Sequence, residues 1–166
     1  MDPLIIAATE ALYRENPDGA HSNPTVSAKL TEGRAELSAG KHTWFADLPP
    51  AVGGTGVAPS PSIYLLGALA GCAVAFIHDT LGPQLGVRID DVSAVAKATA
   101  DSRGLLGMDD VPADLGDIEL EIMVASPDGE EAIKRLEQVW LERCPVYLAL
   151  AKPNDVTVHV ASAART

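Results

Sequence analysis

The side chains best suited to chemistry in this sequence are its two cysteines, Cys72 and Cys144. They lie 72 positions apart, so they form neither a CxxC redox motif nor one half of a zinc site. The four histidines show no ligand spacing to either cysteine; they are His21, His42, His78 and His159. We therefore predict no metal and no cofactor. A single free cysteine is commonly a small buried hydrophobe, and this structural role stays open for Cys72.

The stretch that contains Cys72, Pro61 to Leu81, has no charged residue from Ile63 to Ile77. We predict a helix over this stretch, with Ser62 as its N-cap and Gly82-Pro83 as its stop. A helix that is apolar on every side must be buried on every side. This helix is therefore expected to be the centre of the fold.

Helical spacing predicts that both thiols point inward. Cys72 shares an apolar stripe with Leu69 and Phe76, and burial there is expected to raise the pKa of its thiol. Continuing the apolar row that includes Trp140 by four residues reaches Cys144 at the end of a later helix. Pro145 then begins a new short helix.

Composition excludes several classes of function. The chain has 166 residues, 47% of them hydrophobic, and a net charge of -11, which disfavours nucleic acid and anionic membrane surfaces. The uncharged run is shorter than the ~20 residues that cross a bilayer, so we predict no membrane span. The N-terminus lacks the pattern of a secretory signal, which favours a cytoplasmic, reducing location.

Periodicity predicts an α+β domain at residues 21–166 after an N-terminal helical extension at residues 1–20. An antiparallel three-stranded meander precedes the central helix, and two strands, two helices and a last strand with Val156, Val158 and Val160 follow it.

Two segments resemble one known family. GGTGVAPSPSIYLLGALAGC ends at Cys72, and ERCPVYLAL contains Cys144. Together they resemble the OsmC/Ohr family of osmotically inducible and organic hydroperoxide resistance proteins, over roughly residues 26–160. The resemblance implies the OsmC-like fold, with antiparallel sheets wrapped around a long central helix in an intertwined homodimer.

The resemblance also implies a thiol peroxidase that reduces organic hydroperoxides. Cys72 matches the peroxidatic cysteine, which becomes a sulfenic acid, and Cys144 matches the resolving cysteine. A lipoyl-type dithiol would regenerate the pair. The alternative is an OsmC-like dimer without peroxidase activity that binds a hydrophobic small molecule.

Two features of the family pattern are missing or displaced. Active members carry a glutamate ten residues before the peroxidatic cysteine, where this chain has Ser62. They also carry an arginine in the early strands, and the one arginine of this meander, Arg34, falls a few residues away. We predict Arg34 to be an exposed strand residue beside Glu36. Asp47 is a second source of a carboxylate, although an acidic residue at a strand end is ordinarily solvated.

Overall fold

The computed structural model describes residues 3–162. The ends of the two predicted domains, residues 1–2 and 163–166, therefore lie outside the described residues. The helices are α1 (Pro3–Glu15), α2 (Pro61–Phe76), α3 (Gly82–Leu85), α4 (Ser102–Leu105), α5 (Glu130–Arg143) and α6 (Pro145–Ala151). The strands are β1 (Ser27–Thr31), β2 (Arg34–Ala39), β3 (His42–Ala46), β4 (Asp91–Thr99) and β5 (Gly116–Ala125). This α+β order confirms the predicted fold class.

The strands form two separate antiparallel sheets. β1, β2 and β3 make the predicted meander, with Thr31 opposite Arg34 at one turn and Ala39 opposite His42 at the other. β4 and β5 pair from Asp91 opposite Ala125 to Thr99 opposite Gly116. Alternate residues of β5 turn inward, as the period of two predicts.

The central helix begins and ends differently from the prediction. Its N-cap is Ser60, whose hydroxyl accepts the N–H of Ile63, rather than Ser62. Gly82-Pro83 does not stop it, because a π-turn over Ile77–Leu81 leads into α3. In that turn the Gly82 N–H bonds the carbonyl of Ile77, and the following proline needs no N–H partner.

The core forms where α2 meets α5. Its buried members are Leu69, Ala73, Ile77, Leu81, Val87, Leu136, Trp140 and Cys144. The inward residues of β4 and β5 pack against this cluster from one side. The meander β1–β3 lies outside it, and Leu30 on β1 is 81% exposed.

The prediction that α2 is buried on every side fails for the single chain. Ile63 is 56% exposed and Leu65 is 39% exposed. The continuous helix Pro61–Leu85 has 25 residues and is long and apolar enough to cross a membrane, and 17% of its apolar 18-residue stretch is buried within the chain. The core helix of a globular protein can have the same length and composition, so this helix by itself does not indicate a membrane span.

The predicted last strand is absent from the described part of the chain. Residues 153–162 form neither helix nor strand, and Val156, Val158 and Val160 are 82%, 74% and 94% exposed. Alternating valines favour a strand, but a strand exists only where a neighbour takes up its N–H and C=O groups. This segment has no such neighbour within residues 3–162.

Candidate active site

The two cysteines meet where α2 packs against the junction of α5 and α6. Cys72 lies on α2. Cys144 is the C-cap residue of α5 and also the N-cap residue of α6. Their sulfur atoms are 3.1 Å apart, within hydrogen-bonding distance for two thiols, and both cysteines are free. The prediction that both thiols point inward is confirmed.

The surroundings of Cys72 disfavour its thiolate. Burial above all, and then the neighbouring Cys144 sulfur by hydrogen bonding and by charge, raise the pKa of the Cys72 thiol to about 11. One contact acts the other way, because the backbone N–H of Val146 on α6 bonds the Cys72 sulfur and lowers its pKa. At neutral pH Cys72 is therefore mainly a protonated thiol.

The geometry suits thiol–disulfide chemistry. A disulfide requires a sulfur–sulfur distance of about 2.05 Å, so the two atoms need to approach by only about 1 Å. A sulfenic acid formed on either sulfur would lie beside the other thiol. Among the described residues no group of three His, Cys, Asp or Glu side chains could hold a metal ion.

Ser62 contributes no carboxylate and does not reach the thiols. Its hydroxyl bonds that of Ser60 at 2.8 Å, in the first turn of α2. Ten residues of helix separate it from Cys72, which corresponds to about 15 Å along the axis. The position that matches the family glutamate is therefore remote from the sulfur in this chain.

Arg34 does not occupy the predicted surroundings. Its guanidinium pairs with Glu32 at 3.0 Å and lies 4.9 Å from the centre of the Phe45 ring. Glu36, the predicted neighbour, pairs instead with Lys29. The Arg34 side chain is 24% exposed, because the aromatic ring covers it, so the prediction of an exposed residue beside Glu36 is wrong.

Asp47 is buried and fully used by the loop that follows β3. Its carboxylate accepts the N–H groups of Leu48, Thr55 and Val57 and the Thr55 hydroxyl. These bonds, the Thr55 hydroxyl above all, lower the pKa of Asp47 to about 2. Asp47 therefore holds the loop and is not a free base for the thiols.

The close packing of this loop explains why Gly54, in the Gly-Gly pair before α2, is a glycine. A Cβ atom on Gly54 would lie 1.9 Å from the Leu48 carbonyl oxygen, so a larger residue cannot be placed there without moving the backbone. Close approach here lets the chain fold back around Asp47. The Gly-Gly motif thus shapes the loop that leads to α2.

Sequence reasoning missed a mainly apolar cavity of about 480 Å³ that is lined by core residues such as Leu69 and Leu136. It lies between β5, α5 and α6, with Glu137 as its one charged residue. Tyr147 lines it and packs on Trp140, their ring centres 5.2 Å apart. The indole N–H of Trp140 is buried without a hydrogen-bond partner. The amphipathic pattern of α5 and β5 gives the lining residues but not the gap between them.

We expect the loop contribution of Asp47 to depend on pH. Its pKa falls from 3.8 to about 2 on folding, so the stabilisation is complete above 3.8 and is lost as the pH falls towards 2. Thermal unfolding of the wild type and Asp47→Asn should give a melting-temperature difference that is constant near neutrality and shrinks over that acidic window. The comparison isolates Asp47 from Asp101, whose pKa is also lowered to about 2. A difference that does not change with pH contradicts this role.

Comparison with known proteins agrees with this architecture. A family model described as "OsmC-like protein" matches residues 53–159. No curated protein sequence matches the chain. Three solved structures with similar folds show how far the likeness extends.

An OsmC-like protein from Mycoplasma pneumoniae is 21% identical, with a TM-score of 0.66 over 78% of this chain and 88% of that one. A Legionella pneumophila protein, described as an organic hydroperoxide resistance protein OsmC and predicted redox protein, is 19% identical, with a TM-score of 0.60 over 79% and 90%. An OsmC-like protein of unknown function from Vibrio cholerae is 9% identical, with a TM-score of 0.55 over 76% and 92%. These identities support the fold alone, while the family model covers more than half of the sequence. The chain belongs to the OsmC-like protein family.

Proposed function

We propose that this protein is a thiol peroxidase that reduces organic hydroperoxides through Cys72 and Cys144. The observation that carries the proposal is the 3.1 Å separation of two sulfurs that are 72 residues apart in the chain. A similar fold in a Legionella protein described as a hydroperoxide resistance protein supports it. A cytoplasmic location, where thiols are kept reduced, is part of the proposal.

The reaction takes place in two steps at the sulfur pair. The Cys72 thiolate attacks the distal oxygen of the hydroperoxide, the O–O bond breaks, and the alcohol leaves with a proton while Cys72 becomes a sulfenic acid. The Cys144 sulfur then attacks the Cys72 sulfur, forming the disulfide and releasing water. A lipoyl-type dithiol reduces the disulfide and is itself oxidised.

The high pKa of Cys72 sets the pH dependence of the first step. With its pKa raised to about 11, Cys72 is a thiolate in only a small fraction of molecules at pH 7. The Val146 N–H is the contact on this chain that favours that thiolate. The rate of the first step should therefore rise with pH throughout the neutral and mildly alkaline range.

Loss of free thiols on treatment with cumene hydroperoxide tests the proposal. The reduced wild type should lose both thiols and gain one Cys72–Cys144 disulfide. Cys72→Ser should keep its remaining thiol, whereas Cys144→Ser should accumulate a sulfenic acid on Cys72 that dimedone traps. Two untouched thiols in the wild type at excess peroxide, or equal residual turnover in the two variants, would contradict peroxidase activity.

We also propose that the protein is a homodimer with α2 in the interface. The resemblance to the OsmC/Ohr family implies an intertwined homodimer, and the chain belongs to the OsmC-like protein family. The uncovered side of α2 carries the small residues Gly67, Ala68, Gly71 and Ala75, with the exposed side chains of Ile63 and Leu65 on its two flanks, and nothing in the described chain covers it. A second copy placed on this face would remove that surface from water, which is the dominant favourable term in association.

Light scattering on a sizing column tests the dimer with a matched pair of substitutions. Ile63 is 56% exposed and Leu105 is 57% exposed, but Leu105 lies on α4, away from the α2 face. Ile63→Glu should convert the dimer to a monomer, because a carboxylate would be buried in the interface, while a negative charge near the start of a helix does not disfavour the helix itself. The Leu105→Glu variant should still have the mass of two chains. Equal masses for both variants would contradict the proposal that α2 lies in the dimer interface.

The apolar cavity supports a second candidate function, the binding of a hydrophobic small molecule without peroxide reduction. Its volume of about 480 Å³ is in the range of ligand pockets, and its lining is almost entirely aliphatic and aromatic. This function would not require either thiol.

The second candidate function can be tested by the fluorescence gain of the neutral probe N-phenylnaphthylamine when it binds in the apolar cavity. Ile118→Lys places a charge in the cavity lining and should weaken probe binding, whereas Val95→Lys, on an exposed position of the same sheet, should not. Cys72→Ser should leave probe binding unchanged. No fluorescence gain with the wild type, or equal effects of the two lysine variants, would exclude the cavity as a binding site.

A further inference from the structure

We propose that the reductant attacks the oxidised pair at the sulfur of Cys72, and that Cys144 is the leaving thiolate. This inference rests on the proposed function, because it concerns how the disulfide formed by peroxide is opened again. The two sulfurs of a disulfide are chemically similar, so access and surroundings decide which one a thiol attacks.

The two sulfurs differ in accessibility. Cys144 is 0% exposed and belongs to the buried core with Leu136 and Trp140, whereas Cys72 is only partly buried. A thiolate must contact the sulfur that it attacks. Within the described chain, Cys72 is the more accessible of the two cysteines.

Backbone hydrogen bonds hold Cys144 in its buried position. The Cys144 N–H bonds the Trp140 carbonyl at 2.8 Å, and the Leu148 N–H bonds the Cys144 carbonyl at 2.9 Å. These bonds end α5 and begin α6, so exposing Cys144 requires opening the junction between the two helices. Attack at Cys144 therefore needs local unfolding, while attack at Cys72 does not.

Oxidation leaves this difference in place. The sulfurs are 3.1 Å apart before the bond forms, and an approach of about 1 Å completes it. So small a movement does not bring Cys144 to the surface. The difference in exposure between the two cysteines is therefore the same in the reduced and the oxidised chain.

The dithiol reduces the Cys72–Cys144 disulfide in two exchange steps. The reductant thiolate bonds to the Cys72 sulfur, the Cys72–Cys144 bond breaks, and Cys144 keeps the electron pair and takes up a proton. The second thiol of the dithiol then attacks the reductant sulfur of this mixed disulfide, and Cys72 leaves as a thiolate. The Val146 N–H, which bonds the Cys72 sulfur, is placed to stabilise that second leaving group.

Mapping of the mixed disulfide tests the inference. The disulfide is made with diamide, which needs no peroxidase activity, and is confirmed by non-reducing peptide mapping. A brief pulse of limiting 2-mercaptoethanol is followed by an acid quench, N-ethylmaleimide and peptide mass spectrometry. This probe is small, and its only charge is that of the reacting thiolate.

The expected product carries mercaptoethanol on Cys72 and maleimide on Cys144, in at least about tenfold excess over the reverse product. The same pulse in denaturant should give both adducts, because unfolding exposes both sulfurs. Cys144→Ser and Cys72→Ser, each converted to its mercaptoethanol disulfide, calibrate detection of the two peptides.

Mercaptoethanol mainly on Cys144, or equally on both sulfurs of the folded protein, would overturn the inference, as would failure of diamide to form the disulfide. If the disulfide forms with diamide but not with cumene hydroperoxide, the proposed peroxidase function is contradicted, while the inference about the attacked sulfur is not. The two proposals can therefore fail separately.

Discussion

The packing of α2 against the α5–α6 junction is the contact on which the rest of the site depends. Leu69 and Ala73 on α2 and Leu136 and Trp140 on α5 are all buried in one cluster. Their close packing fixes the distance between two backbone segments that are far apart in the chain. The sulfurs of Cys72 and Cys144 meet because they occupy the same layer of this cluster.

The burial that brings the thiols together also makes Cys72 a weak nucleophile at neutral pH. Removing its sulfur from water raises its pKa, and the neighbouring sulfur adds to the effect. Proximity and acidity thus oppose each other at this site. The Val146 N–H lowers the pKa of Cys72 in part. No charged side chain does so: Ser62 is remote and uncharged, Arg34 pairs with Glu32, and Asp47 is bonded within its loop.

A single chain leaves much of its apolar surface uncovered. The exposed side of α2, Leu30 on β1 and the valines of residues 156–160 share this property. The meander is linked to α2 by few polar contacts, such as the Tyr64 hydroxyl bonding the Phe45 carbonyl. Apolar surface of this extent marks an interaction site, which agrees with the proposed homodimer. The division of the chain into residues 1–20 and 21–166 stays a prediction.

The sequence by itself determined the local elements, because hydrophobic periodicity, proline and glycine act over a few residues. It determined the meander, the central helix, the strand β5 and the inward direction of Cys144 before Pro145. Only the tertiary structure decided the N-cap at Ser60, the π-turn before Pro83, the pairing of Arg34 and the role of Asp47. It alone decided the cavity and the 3.1 Å between the sulfurs as well, because these depend on distances between segments that no local pattern encodes.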